Sequence, residues 1–243
     1  MSKNISEIWV YLAASPLLGL TATLLAYQAA WWISKRLKSH PLANPVLLAV
    51  LILSGLLSLT HIPYQRYFEG AQFVHFLLGP ATVALAIPLY ANFRRVKQMA
   101  LPIALGLLAG SVAAIVSAVL IAHWLGGSSA TIYSLAPKSV TTPIAMGISE
   151  RIGGLPSLTA VLVILTGILG AVAAPALFRL LRIRDTAIQG FAMGVASHGI
   201  GTARAFQINE QMGAFAALAM GLNGLLTALL LPLLLPWLRQ ITG

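Results

Sequence analysis

The chain contains no cysteine and only five carboxylates in 243 residues. The first absence excludes disulfides and thiol catalysis. The second leaves no intramembrane carboxylate pair for acid–base work. Charge of either sign is scarce. Charged residues make up 8%, against about a quarter in a soluble domain, so nothing is available to solvate a globular surface. H-E-x-x-H, G-x-S-x-G and phosphate-binding loop patterns are all missing, which removes the sequence grounds for an enzyme, a metal or a cofactor.

What the chain has instead is 58% hydrophobic residues and a net charge of +10. The apolar content identifies an all-α, polytopic integral membrane protein. The basic residues sit in short clusters between apolar runs, which is how orientation is written in a bilayer, and no nucleic-acid partner is implied. Met1 to Val10 carries Glu7 and no cleavage site, so it reads as a tail before a first span and not as a signal peptide. With no polar segment long enough for a soluble domain, 1–243 reads as one integral membrane domain. Residues 1–125 form scaffold spans and 126–243 form a motif-bearing half.

Apolar runs at 8–33, 45–60, 71–92, 100–125, 155–178 and 212–238 each approach the ~20 residues that a helix needs to cross hydrocarbon. Two further stretches, 130–151 and 186–210, are apolar at both ends and rich in Gly, Ser and Pro between. Basic clusters follow three of the runs: Lys35, Arg36 and Lys38; Arg94, Arg95 and Lys97; Arg179, Arg182 and Arg184. Placing all three in the cytoplasm requires 130–151 to enter from outside and return. Reading 186–210 in the same way makes it a hairpin from the cytoplasm and leaves Arg239 outside; if 186–210 crosses, Arg239 lies inside. The expected fold is therefore about six spans plus two re-entrant hairpins. Broken backbone at membrane depth is tolerated only where protein or a water-filled cavity surrounds it. Oppositely oriented broken elements mark inverted-repeat transporters, with substrate held between the tips.

The first tip, "PKSVTTP", offers Lys138, Ser139, Thr141 and Thr142 between Pro137 and Pro143. A lysine at mid-bilayer costs about 2.5–3.5 kcal/mol on insertion scales, so it calls for a partner or a purpose unless it snorkels from an interfacial loop. The hydroxyls suit an oxygen-rich ligand, or serve the broken backbone. The second tip, "ASHGIGTAR", offers Ser197, His198, Gly199, Gly201, Thr202 and Arg204. Gly199 and Gly201 allow close approach, and Arg204 has the fork geometry for a carboxylate. His198 reads either as a proton-coupling group or as a hydrogen-bonded structural one. Asn223, inside the last run, either donates into the site or bridges helices. Asn44 reads as a helix N-cap. "GLLAG" at 106–110 has the small-xxx-small spacing of close helix packing. Glu150, Arg151 and Glu210 read as ion pairs or interfacial anchors. Two cations and no acid in the tips favour an anionic ligand over a cation.

The runs "LAPKSVTTPIAMGISERIGG" and "RIRDTAIQGFAMGVASHGIGTARAFQINEQMGAFAALAMGLNG", with "YFEGAQFVHFLLGPATVALAIPLY" upstream, resemble the LrgB/CidB family of bacterial inner-membrane proteins over nearly the whole chain. The resemblance implies one of two activities. One is carriage of small monocarboxylates of the glycolate, glycerate, pyruvate or lactate class. The other is holin- or antiholin-like modulation of murein hydrolase activity and autolysis, with a small LrgA/CidA-type membrane partner. A homo-oligomer such as a dimer is expected with either.

Overall fold

The computed structural model describes residues 16–37 and 43–242. The tail Met1 to Val10, the opening residues of the run 8–33 and Lys38 lie outside them. Every regular element among the described residues is a helix. They group into two compact units, the first ending at Ala84 and the second beginning at Leu85.

The first unit holds α1 (Pro16–Arg36), α2 (Pro45–Thr60), α3 (Tyr64–Phe76) and α4 (Leu78–Ala84). Lys35 and Arg36 close α1, each over a tryptophan ring of the preceding turn, Trp31 and Trp32, at 4.0 and 3.9 Å from the centroids. Such aromatic–cation pairs suit a membrane interface. The α1 helix packs on α2 and α3, where Thr23 Oγ1 and Tyr67 Oη are 2.7 Å apart. Asn44 caps α2 as its position suggests, its Oδ1 accepting from the amides of Val46 and Leu47 at 2.8 and 3.3 Å.

The run 71–92 departs from expectation, because it is not one continuous helix. It is divided among α3, α4 and α5 (Ala86–Ala91), and α6 (Phe93–Gln98) follows before α7 (Ala100–Trp124). A proline clashes with the carbonyl four residues earlier. Pro80, Pro88 and Pro102 each stand four residues after a helix end, at Phe76, Ala84 and Gln98. Prolines 175, 232 and 236 instead lie inside unbroken helices.

The rest of the second unit comprises α8 (Ser129–Leu135), α9 (Thr142–Ile152), α10 (Pro156–Leu180), α11 (Thr186–Ile208) and α12 (Glu210–Thr242). Among the described residues, three helices are long and apolar enough to cross a bilayer: Ala100–Trp124, Pro156–Leu180 and Glu210–Ile241. The chain is a membrane protein. Helices α7 and α12 run in the same direction: Ile103 clusters with Phe215, Ser111 bonds to Asn223, and Ile115 and Val119 cluster with Leu231. Helix α10 runs the other way. Its start meets Ser134 of α8, while its end, at Phe178, packs on Met212 in the first turn of α12.

Candidate functional site: two broken segments joined on one asparagine

In the first broken segment, α8 stops at Leu135 and α9 starts at Thr142, with Pro143 in its first turn. The turn between them is held by Lys138 N–H to Leu135 O at 3.0 Å and Val140 N–H to Pro137 O at 3.2 Å. The chain then folds back. Leu155 N–H donates to Ser134 Oγ at 2.7 Å, and Thr159 Oγ1 contacts Ser149 Oγ at 2.7 Å and Ser134 O at 3.1 Å. Ser134, Ser149 and Thr159 are fully buried, so these hydroxyls stitch the base of a helical hairpin where no water would satisfy them. A Cβ at Gly154 would collide with Ser149 Oγ and lie 2.9 Å from the Ser134 nitrogen. Only glycine fits.

The second broken segment is α11. Asp185 caps it, with Oδ1 accepting from Ala187 N–H at 2.8 Å. Its first arm follows α12, with Gly190 against Met212 O and Gly194 against Ala216 O, both too close for a side chain. At His198 the backbone leaves helical geometry (φ 41°, ψ −131°). The chain then reverses: Gly201 lies against the Met193 carbonyl, the Phe206 ring covers Gly213, and Met212 N–H donates to Asn209 Oδ1 at 3.1 Å. The segment thus begins and ends beside the first turn of α12.

The two breaks meet at Asn223. Its Nδ2 donates to Ser139 O in the first break at 3.1 Å and to Val195 O, three residues before the second, at 3.0 Å. Its Oδ1 accepts from Ser111 Oγ on α7 at 2.5 Å and from Thr227 Oγ1 at 3.4 Å. Ser111 stands about 17 Å along a helix of about 37 Å, counting about 1.5 Å per residue, so this cluster lies near the middle of α7. On the opposite side the second tip rests on the middle of α10. A Cβ at Gly167 would lie 2.7 Å from the His198 ring, and one at Gly170 would collide with Ser197 Oγ.

Several residues singled out in the sequence come together here. Ser139, Ser197, His198, Gly201, Thr202 and Asn223 are buried, and Lys138, Thr141, Thr142 and Gly199 half-buried. Lys138 Nζ donates to Ser139 Oγ at 3.3 Å and lies within electrostatic reach of His198. Among the described residues the ion pair is Arg95–Asp185 at 2.6 Å, so no carboxylate stands within ion-pair distance of Lys138. Thr141 occupies the N-cap of α9 without a side-chain capping bond. His198 is hydrogen-bonded, its Nε2 2.9 Å from Val163 O. A carbonyl only accepts, so the proton is on Nε2. Thr202 Oγ1 donates to His198 O at 2.8 Å and serves the broken backbone. Arg204 lies six residues past the kink on the return arm, donating to Gln207 Oε1 at 3.1 Å.

Other parts of the arrangement carried little sequence signal. Ser111, Thr227, Ser134, Ser149 and Thr159 are single hydroxyls in apolar runs. The pair Gly167 and Gly170, three apart at the centre of a span, was a usable sign of close approach. At the other end of the bundle, Arg95 Nη1 and Thr186 Oγ1 both donate to Gln211 Oε1, and Gln211 Nε2 donates to Asn92 Oδ1. With the Arg95–Asp185 pair, these bonds put the clusters at 94–97 and 179–184 at one end, as a common cytoplasmic side requires. Of the "GLLAG" glycines, Gly110 packs closely, since a Cβ there would lie 3.1 Å from Val195 Cγ1, while one at Gly106 would make only ordinary contact with Phe191 at 3.5 Å.

Comparison with known proteins gives a consistent picture. The chain is 40% identical over 222 residues to the uncharacterized protein YwbG of Bacillus subtilis (strain 168), covering 91% of this chain and 98% of that one. It is 35% identical over 219 residues to the uncharacterized protein YxaC of the same strain, covering 90% and 94%. It is 29% identical over 224 residues to the antiholin-like protein LrgB of Bacillus mycoides (strain KBAB4), covering 92% and 97%. No solved structure matches with significance. The family model described as LrgB-like matches residues 23–237, nearly the whole of the chain, and the protein belongs to the LrgB-like family.

Proposed function

We propose that the protein is a secondary carrier of small monocarboxylates, of the glycolate, glycerate, pyruvate or lactate class, in a bacterial inner membrane. The observation that supports this most is the meeting of two broken segments beside Lys138, a half-buried cation with no acid at ion-pair distance among the described residues. A hairpin followed by an apolar helix occurs twice, as α8–α9 with α10 and as α11 with α12, and the two helices run in opposite directions. This arrangement supports reading the two hairpin–helix units as an inverted repeat, with hairpins re-entrant from opposite faces and substrate between their tips. Lys138, the Thr141 and Thr142 hydroxyls and the amides opening α9 are the groups suited to a carboxylate. Uptake of labelled short-chain carboxylates into proteoliposomes of the purified chain tests the reading. Selective, saturable uptake of a few acids supports it, and absence of uptake for the whole panel overturns it.

Relatives such as the Bacillus mycoides protein are named antiholin-like, which supports a second reading: a modulator of murein hydrolase activity and autolysis that acts with an LrgA/CidA-type partner. That reading predicts a change in autolysis on deletion that no substitution at Lys138 reproduces. A carrier predicts that deletion and Lys138→Ala give the same defect in growth on the acid.

A further inference from the structure

Within the carrier reading, we infer that Asn223 is a positioning residue that holds both hairpin tips closed at once, using one N–H for each. Its side chain is almost wholly buried, and both ends of the amide are engaged. The two partners of Nδ2 are carbonyls and can only accept, while the two partners of Oδ1 are hydroxyls and can donate. The amide orientation is therefore dictated by chemistry. Ser111 and Thr227 anchor one end to α7 and α12, and the other end reaches the two breaks.

Each of those carbonyls lies at an interruption of the helical ladder. A buried carbonyl without a donor costs free energy comparable to a lost hydrogen bond, so each tip is held where Asn223 can reach it. The two holds are separable. Lifting the first tip breaks the bond to Ser139 O and leaves the bond to Val195 O intact, and lifting the second does the reverse. A tip that moves away leaves behind a donor, which a carboxylate oxygen entering between the tips would accept. Asn223 thus couples closure of either tip to the content of the site.

The absence of native cysteine makes the test direct. A single cysteine replaces Ser139 in the first tip, or Gly199 in the second, where a Cβ meets only Met220 Sδ at 3.8 Å. The Ser139 change leaves the carbonyl that Asn223 holds. Alkylation by a small maleimide is then timed with and without Asn223→Leu, which is close in size and removes both donors. Both cysteines should react about tenfold faster in the Leu background, as expected when the loss of a modest hydrogen bond raises the open population. If Asn223→Leu does not yield folded protein, Ser111→Ala withdraws the anchor instead, and a smaller acceleration at both positions is expected. Unchanged rates at both cysteines, or acceleration at one alone, would overturn the inference. Labelling does not depend on transport, so the two readings fail separately. If the wild type takes up no acid yet both single-cysteine variants show the acceleration, the carrier fails and the latch stands; uptake by the wild type with unchanged labelling of both cysteine variants does the opposite.

Discussion

Ser111 donates to Asn223 across 2.5 Å near the middle of two parallel helices, and this bond anchors the oxygen end of an amide whose nitrogen faces the two hairpin carbonyls. Removing it leaves Asn223 Oδ1 with the longer 3.4 Å bond from Thr227. Ser111→Ala should therefore lower stability by about 1–3 kcal/mol, the cost of under-satisfying a buried acceptor. Thermal unfolding in detergent measures it. Thr227→Ala, which gives up the weaker bond, should cost less.

Glycine-to-alanine changes should divide by position. A methyl added at Gly221 would meet nothing within 4 Å, whereas a Cβ at Gly170 would strike Ser197 Oγ and one at Gly167 the His198 ring. Alanine is the better helix former by roughly 0.5–1 kcal/mol, so Gly221→Ala should raise the unfolding temperature. Gly167→Ala and Gly170→Ala should lower it, since overpacking costs about 1–3 kcal/mol. They should also displace the second tip, read as faster alkylation of a cysteine at Gly199.

Asp185 has two roles that substitution can separate. One oxygen caps α11 and the other pairs with Arg95, both side chains being 38–39% exposed. Asparagine retains a capping oxygen and loses the charge. Asp185→Asn should cost at most ~1 kcal/mol, in line with exposed ion pairs, and Asp185→Ala should cost about 0.5–2 kcal/mol more through the lost cap. Urea or thermal midpoints that are equal for the two variants would show that the cap contributes nothing.

The sequence made the two interruptions legible because their causes are local: Pro137 and Pro143 break one segment, and Gly199 and Gly201 directly follow the break in the other. It did not show that His198, and not a neighbouring glycine, takes the positive-φ position. That choice is fixed by a bond to Val163 on another helix. Nor did it show that Arg204 sits well along the return arm while Lys138 sits in the break itself, since counting residues from a tip requires knowing which residue turns. The division of 71–92 could have been read from Pro80 and Pro88 by the four-residue rule, and the apolar composition of the run concealed it. Asn223 was visible as a polar residue in a span. Its four partners are scattered over both breaks, α7 and its own helix, and no spacing in one chain encodes them.

The folding-back of 129–154 has a direct topological consequence. Ser128 and Ser157 are both exposed and flank that hairpin. If it is re-entrant, single cysteines at the two positions should both react with an impermeant maleimide from outside the cell. Reaction from opposite faces would mean that the segment crosses, and the inverted-repeat reading would not survive.

Lys138 provides the sharpest test of the proposed site. A lysine at mid-depth costs about 2.5–3.5 kcal/mol on insertion scales, and among the described residues it is met by a 3.3 Å bond to Ser139 Oγ and by no carboxylate at ion-pair distance. Lys138→Ala should therefore leave folding intact, or improve it, while abolishing carboxylate uptake. Lys138→Arg keeps the charge but exchanges a compact ammonium for a planar fork, and should retain partial uptake with weaker affinity. Arg204→Ala should reduce uptake less than Lys138→Ala, because Arg204 is about 9 Å along the arm from His198 at about 1.5 Å per residue and bonds to Gln207. A bound acid stabilises whichever form it binds, so the carried carboxylate should raise the unfolding temperature of the wild type and of Arg204→Ala, and not that of Lys138→Ala. If Lys138→Ala were stabilised as strongly as the wild type, the anion would bind away from the first tip, and Lys138 would have to be explained by insertion or packing alone.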